Sequence, residues 1–239
     1  MASIAVLAAT GREISPLAAS FPARPEPSPL PWDISTALLG SKRVIFAVTG
    51  VGIANAAAAT AAVNHRYAPD LCIVTGCAGA YPGSELAIGD LALATTEVFA
   101  DTGVAAPEGW RDLRSMGLPL QDRNGVVLYN DIPLCPRAAE MALCVARHTG
   151  VSLRRGVFLT VSTCSGTSCR GEELSARFGA ICENMEGAAV ALTAARFGVD
   201  CLEIRGISNH VEDRDISRWD ISSAVAASSD FVERLLQEL

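Results

Sequence analysis

The 239 residues suffice for one large domain, or at most two small ones, with a sizeable buried core. Half of them are hydrophobic, 19% are charged and only 5% are aromatic, so the core must be built from Ala, Val, Leu and Ile, as in an α/β protein whose small-residue helices pack on a buried sheet. A net charge of -7 with no run of Lys or Arg excludes nucleic acid or an acidic membrane as the main partner.

The chain opens with the apolar run 3–9, which is too short and lacks the basic start of a signal segment; it reads as a strand, and the protein as cytosolic. Thr10-Gly11-Arg12-Glu13 follows, with Ile14, Leu17 and Ala18 at helical spacing and Pro16 placed in the first turn of that helix. Five prolines between 22 and 31 predict an extended surface loop. Val44–Val48 and Leu71–Thr75 are buried strands, each running into a glycine-rich turn: Thr49-Gly50-Val51-Gly52 before an Ala-rich helix, and Gly76-Cys77-Ala78-Gly79-Ala80. Such turns bring backbone N–H groups close to a ligand, although helix packing alone also selects glycine. A dinucleotide fingerprint would need a third glycine at position 55, which is Asn.

Residues 91–99 read as a strand, 101–121 as a polar surface excursion, and 136–148 as a helix begun by Pro136 and stopped by Gly150. Val157–Val161 is a strand, followed by the polar loop 162–168 and a helix over 172–178. In Ala180-Ile-Cys-Glu-Asn-Met-Glu-Gly187 a carboxylate, Glu186, stands where an apolar strand turns into an apolar helix that Gly198 ends. Strand ends of open α/β sheets bind ligands, which makes Glu186 a site candidate; an acid favoured by the helix dipole is the plainer alternative. In the last strand, 201–207, Glu203 and Arg205 share a face and read as a structural ion pair, with Ser208-Asn209 at its carboxyl end. An amphipathic helix from about Trp219 ends the chain.

Strand and helix alternate without repeats or a composition break. The expectation is a single domain, 1–239, with a mostly parallel mixed β-sheet flanked by helices. The eight cysteines contain no C-x-x-C and accompany only three histidines, so they read as reduced buried thiols rather than a disulfide framework or a metal site.

Taken in order, Glu13 after the first strand, Thr49-Gly-Val-Gly-Ile-Ala-Asn-Ala56, Thr75-Gly-Cys-Ala-Gly79, Ile88-Gly-Asp90, Asn184-Met-Glu-Gly187 and Arg205-Gly-Ile-Ser-Asn209 resemble the nucleoside phosphorylase and nucleosidase superfamily over nearly the whole chain. Each motif is weak alone; the ordered set is specific. The resemblance implies a small-molecule nucleoside substrate, no metal or organic cofactor, and a homo-oligomer, with a dimer favoured. It implies that Glu13 activates water, that Glu186 accepts from the ribose hydroxyls and that Met185 packs on the sugar. Cys77, Ala78 and Gly79 would lie beside the ribosyl and base, Cys164 and Ser165 beside the purine, and Trp219 would stack on the base.

Two departures narrow the resemblance. Phosphorylases of the superfamily place an arginine before the second glycine turn, where this chain reads Ile73-Val74-Thr75, so water is favoured over phosphate as nucleophile. Asn209 stands where adenine-specific members carry aspartate, and an amide suits a 6-oxopurine, unless it only caps the final loop. Arg12, His210, Arg214 and Arg218 flank the matched positions and are the candidate partners of an acidic group on the substrate. A nucleoside phosphorylase and a non-catalytic nucleoside-binding protein are the alternative readings.

Overall fold

The computed structural model describes residues 2–27, 30–123 and 125–239; Met1, and Pro29 of the proline-rich stretch, lie outside them. The chain runs β1 (Ser3–Ala8), α1 (Gly11–Ser20), β2 (Arg24–Pro25), β3 (Ile34–Leu39), β4 (Lys42–Val48), α2 (Ile53–Tyr67), β5 (Leu71–Ala80) and β6 (Leu91–Phe99). Two hairpins follow, β7 (Val104–Ala106) with β8 (Gly109–Arg111) and β9 (Gln121–Arg123) with β10 (Val126–Leu128). Then come β11 (Asp131–Pro133), α3 (Pro136–Thr149), β12 (Leu153–Thr160), α4 (Ser168–Phe178), β13 (Ala180–Asn184), α5 (Gly187–Phe197), β14 (Asp200–His210) and α6 (Ile221–Glu238).

The sheet is mixed and has helices on both faces, as the alternation of strands and helices predicts. Side chains of β1 split by parity: Ala5 and Leu7 face the core shared with α2 and α5, whereas Ile4, Val6 and Ala8 face the core shared with α1, α3 and α6. Parallel pairings join β4, β1, β5 and β14 on one side and β6, β12 and β13 on the other. Two short antiparallel joints, β13 to β5 and β14 to β6, connect these wings. Five strands therefore close in a ring, β6-β12-β13-β5-β14, and the ring holds a cluster of buried polar side chains.

Several sequence-based boundaries move. The glycine-rich segment after Thr75 is not a turn: β5 continues through it to Ala80 and pairs with β14 and β13. The glycines serve close approach instead. A Cβ at Gly76, where φ is +133°, would strike the Glu13 carboxylate, and one at Gly79 would crowd Asn209 and Val211. Pro16 sits in the second turn of α1, not the first, at the cost of one helical N–H. The proline-rich stretch contributes the edge strand β2, paired with β3, and the polar excursion carries hairpins rather than plain loop. Trp219 precedes the last helix, which starts at Ile221, and β14 extends through Asn209. Of the cysteines, Cys72, Cys182 and Cys201 are buried and all eight are free thiols, but Cys169 is exposed on the first turn of α4.

Candidate active site

A cleft of about 310 Å³ opens beside the ring, where the ends of β5, β13 and β14 meet the starts of α1 and α5. All ten residues singled out from the sequence line it: Glu13, Cys77, Ala78, Gly79, Cys164, Ser165, Met185, Glu186, Asn209 and Trp219. They come from six stretches of the chain, at 13, 77–79, 164–165, 185–186, 209 and 219, which the closed sheet brings together.

Glu13 is the third residue of α1 and closes a capping box. Its Oε2 accepts from the Thr10 backbone N–H at 3.0 Å and from the Thr10 hydroxyl at 2.8 Å. Its Oε1 accepts from the Cys77 N–H at 3.1 Å and from the Cys77 thiol at 3.4 Å. The two backbone bonds fix the carboxylate, whereas the hydroxyl and thiol can rotate away and leave an acceptor for a water. The Cys77 thiol is pushed up to about 12 by burial, with the Glu13 charge adding to the effect, so it is a neutral donor rather than a nucleophile.

Glu186 is 6% exposed and sits at the start of α5. Its Oε1 accepts from the Gly52 N–H at 2.9 Å, and its Oε2 lies 3.7 Å from Arg205 Nη2. Gly52 reaches it with φ of +90°, in the region that favours glycine, at the N-terminus of α2. The first glycine-rich turn thus presents its N–H to the protein's own carboxylate. Burial raises the Glu186 pKa, and Arg205 and the Gly52 N–H pull it back; the Glu13 charge facing it raises it further. The plainer reading of Glu186 as a helix-dipole acid covers only part of this geometry. Asn184 does the capping, since its Oδ1 accepts from the N–H groups of Glu186 and Gly187 at 2.9 and 2.7 Å.

Asn209 stands opposite Gly79 on β14. Its Oδ1 is within 2.8 Å of the Ser208 hydroxyl, and its Nδ2 donates to the His210 carbonyl at 3.0 Å, which leaves one N–H for the cleft. The single Ser208 proton has a second acceptor, the Ala78 carbonyl at 3.3 Å. When it turns there, Asn209 Oδ1 is free to accept. On the opposite wall the Cys164 thiol meets Met185 Sδ at 3.3 Å, and Ser165 is tied to Glu183 through its N–H at 2.9 Å and its hydroxyl at 2.7 Å.

Of the four flanking cations, Arg12 and Arg214 line the cleft; Arg214 lies over the Trp219 ring, 4.8 Å from its centroid. Arg218 does not line it and instead pairs with Glu212 at 2.6 Å, and His210 is exposed outside it. Glu203 and Arg205 are the buried ion pair expected from their spacing, at 2.8 Å and 0% and 1% exposed, but Arg205 also extends to Glu186. The sequence reading missed that reach, along with Glu183 and the N–H of Gly52. Glu183 had a visible signal, a second acid three residues before Glu186 in an apolar segment. The Gly52 contact crosses 134 positions and has none.

Among the described residues no group of three or more His, Cys, Asp or Glu side chains is arranged to hold a metal ion, and no helix is long and apolar enough to cross a membrane. The N–H of Cys77, two residues after the buried Thr75, serves an anion, the Glu13 carboxylate.

An α/β sheet with a cleft at its strand ends, walled by two facing carboxylates, defines the chain as a small-molecule enzyme fold. It belongs to the phosphorylase superfamily, whose family model matches residues 3–239. Futalosine hydrolase of Thermus thermophilus is 36% identical over 195 residues, 81% of each chain, and that of Streptomyces coelicolor is 36% identical over 192 residues, 78% of this chain and 75% of its own. Among solved structures, a mutant futalosine hydrolase of Helicobacter pylori superposes with a TM-score of 0.86 at 25% identity, covering both chains fully.

Proposed function

We propose that the protein hydrolyses the N-glycosidic bond of futalosine, giving hypoxanthine and dehypoxanthinyl futalosine, a step of menaquinone biosynthesis. The observation that carries the reading is that Glu13 and Glu186 face one another across one cleft with Asn209 on its wall. The relatives named for futalosine cleavage support the choice of substrate.

Such a bond breaks through a transition state with oxocarbenium character, so the leaving base, the sugar and the nucleophile each need help. Glu186, held by Gly52 and Arg205, accepts from the ribose hydroxyls and places negative charge near the developing cation. Glu13, anchored by two backbone N–H groups, orients water and takes its proton. The free N–H of Asn209 donates to purine O6; the base leaves neutral by taking up a proton from solvent at N7, and once Ser208 turns to Ala78, Asn209 Oδ1 accepts from that N7–H, while the proton on Glu13 returns to solvent. An adenine amino group would meet that donor with another donor.

Futalosine carries an aromatic carboxylate at the far end of its ribosyl chain. Arg12 and Arg214, the two cations on the cleft, pair with it, and Arg218 and His210 drop out. The enzyme acts in the cytoplasm as a homo-oligomer, a dimer in the favoured form. The test is to incubate the protein with futalosine, inosine and methylthioadenosine, each with and without phosphate, and identify the base released. Hypoxanthine from futalosine, independent of phosphate, is the expected result; adenine from methylthioadenosine as the fastest reaction would overturn the assignment.

A further inference from the structure

Two fully buried carboxyls, Glu97 on β6 and Glu203 on β14, lie inside the strand ring beyond the cleft wall, each 0% exposed. Neither lines the cleft. Glu97 Oε1 accepts from Asn184 Nδ2 at 2.6 Å, and its Oε2 accepts from the Thr160 hydroxyl at 2.7 Å. Glu203 Oε1 accepts from Arg205 Nε at 2.8 Å, while its Oε2 has no N–H or hydroxyl donor among the described residues. The Glu97 carboxyl beside it supplies that donor when protonated. Both groups press on the N-terminus of α5: a Cβ at Gly187 would strike Glu97 Oε1 and Glu203 Oε2.

Each carboxyl leads to Glu186 by a separate arm. Glu97 holds the Asn184 amide nitrogen, which aims Asn184 Oδ1 at the N–H groups of Glu186 and Gly187. Glu203 holds Arg205, whose Nη2 points at the Glu186 carboxylate without a hydrogen bond of its own. We infer that Glu97 and Glu203 form one proton-sharing pair that positions Glu186, Glu97 setting its backbone through Asn184 and Glu203 setting its charge through Arg205. They are positioning residues, and the inference rests on the reading of Glu186 as the ribose anchor. Burial and the Glu203 charge hold Glu97 well above the usual carboxylate range, consistent with Glu97 as the proton-bearing member.

The two members should answer differently to the same isosteric change. Glu97→Gln keeps a neutral donor and acceptor, so activity stays near that of the unmodified enzyme, whereas Glu97→Ala frees Asn184 and loses about 100-fold in kcat/KM, the scale of a misplaced contact. Glu203→Gln removes a charge and releases Arg205 onto Glu186. The groups facing Glu186 are Arg205 and Glu203 on β14, Glu13 on α1, the Gly52 N–H at α2 and Cys164 in the loop before α4. Losing Glu203 therefore lowers the Glu186 pKa, and the acid limb of the kcat/KM profile moves down by about one pH unit.

The experiment compares futalosine with its 2′-deoxy analogue for the unmodified enzyme, Glu186→Gln, Glu97→Ala, Glu97→Gln and Glu203→Gln, with folding checked by circular dichroism. The expected result is that Glu97→Ala and Glu203→Gln lose the preference for the ribose 2′-hydroxyl, as Glu186→Gln does, and that Glu97→Gln retains it. If Glu203→Gln does not fold, the Ala and Gln variants of Glu97 carry the test alone. Unchanged discrimination in folded Glu97→Ala, or equal losses in both Glu97 variants, would overturn the inference. Failure of the ribose-anchor reading is separate: there Glu186→Gln itself would discriminate normally.

Discussion

The floor and the mouth of the cleft are built by opposite means. At the floor, Glu13 and Glu186 are each 6% exposed and each is tied to a backbone N–H from a remote segment, Cys77 for Glu13 and Gly52 for Glu186, with the Thr10 N–H also on Glu13 and Arg205 beside Glu186. At the mouth, Arg12 and Arg214 are exposed, Arg12 bonded to the Ser222 hydroxyl and Arg214 lying over the Trp219 ring. Rigid, water-poor placement suits groups that act on a transition state, because a preorganised charge need not reorganise when the bond breaks. Exposed, flexible cations suit recognition of a substrate end that varies. The floor should therefore govern kcat, and the mouth KM.

The largest break in that contrast comes from Glu13→Gln. Glutamine keeps the capping box through its oxygen, but it cannot take a proton and its NH2 then faces the Cys77 N–H; kcat should fall about 100- to 10,000-fold in steady-state assays, and the melting temperature should drop by the loss of that one buried bond, about 1 to 3 kcal/mol. Next in size is Asn209→Asp. It exchanges the donor aimed at O6 for an acceptor, and one unmade buried bond of about 1 to 3 kcal/mol should shift the hypoxanthine-to-adenine preference by about 5- to 150-fold, read from competing substrates. Removing both mouth cations, Arg12→Ala with Arg214→Ala, should raise KM for futalosine about tenfold while leaving kcat and the KM for inosine nearly unchanged. A fall in kcat instead would erase the distinction between floor and mouth.

The smallest effect concerns pH and stability. Glu97 has a folded pKa raised by burial and by the neighbouring Glu203, so its contribution is fully present below the unfolded value near 4.5 and declines as the pH rises toward the folded value. Glu97→Gln removes that titration. Urea midpoints measured across neutral and alkaline pH should therefore decline less for the variant than for the unmodified protein.

Much of the secondary structure was legible locally. Apolar runs marked β1, β4, β5 and β6, and Gly150 and Gly198 ended α3 and α5 in the left-handed conformation that favours glycine. The two-residue edge strand β2 and its half-exposed neighbour β3 were not, because such strands have no clear periodicity to read and form by pairing with their neighbours. The glycines of β5 misled for a related reason: they mark close approach of Glu13 and Asn209, partners from other segments.

For the site, the ordered motifs selected the ten positions through their resemblance to the nucleoside phosphorylase and nucleosidase superfamily, and all ten line the cleft. The sequence by itself determined the α/β class, the two carboxylates and the amide. Only the tertiary structure decided that Arg205 serves Glu186 as well as Glu203, that Gly52 faces Glu186, and that Arg12 and Arg214 rather than Arg218 and His210 reach the cleft. The reason is physical: a side chain's identity is local, but its charge state and partner depend on closure of the ring, where the β13–β5 and β14–β6 joints bring distant segments within hydrogen-bond distance.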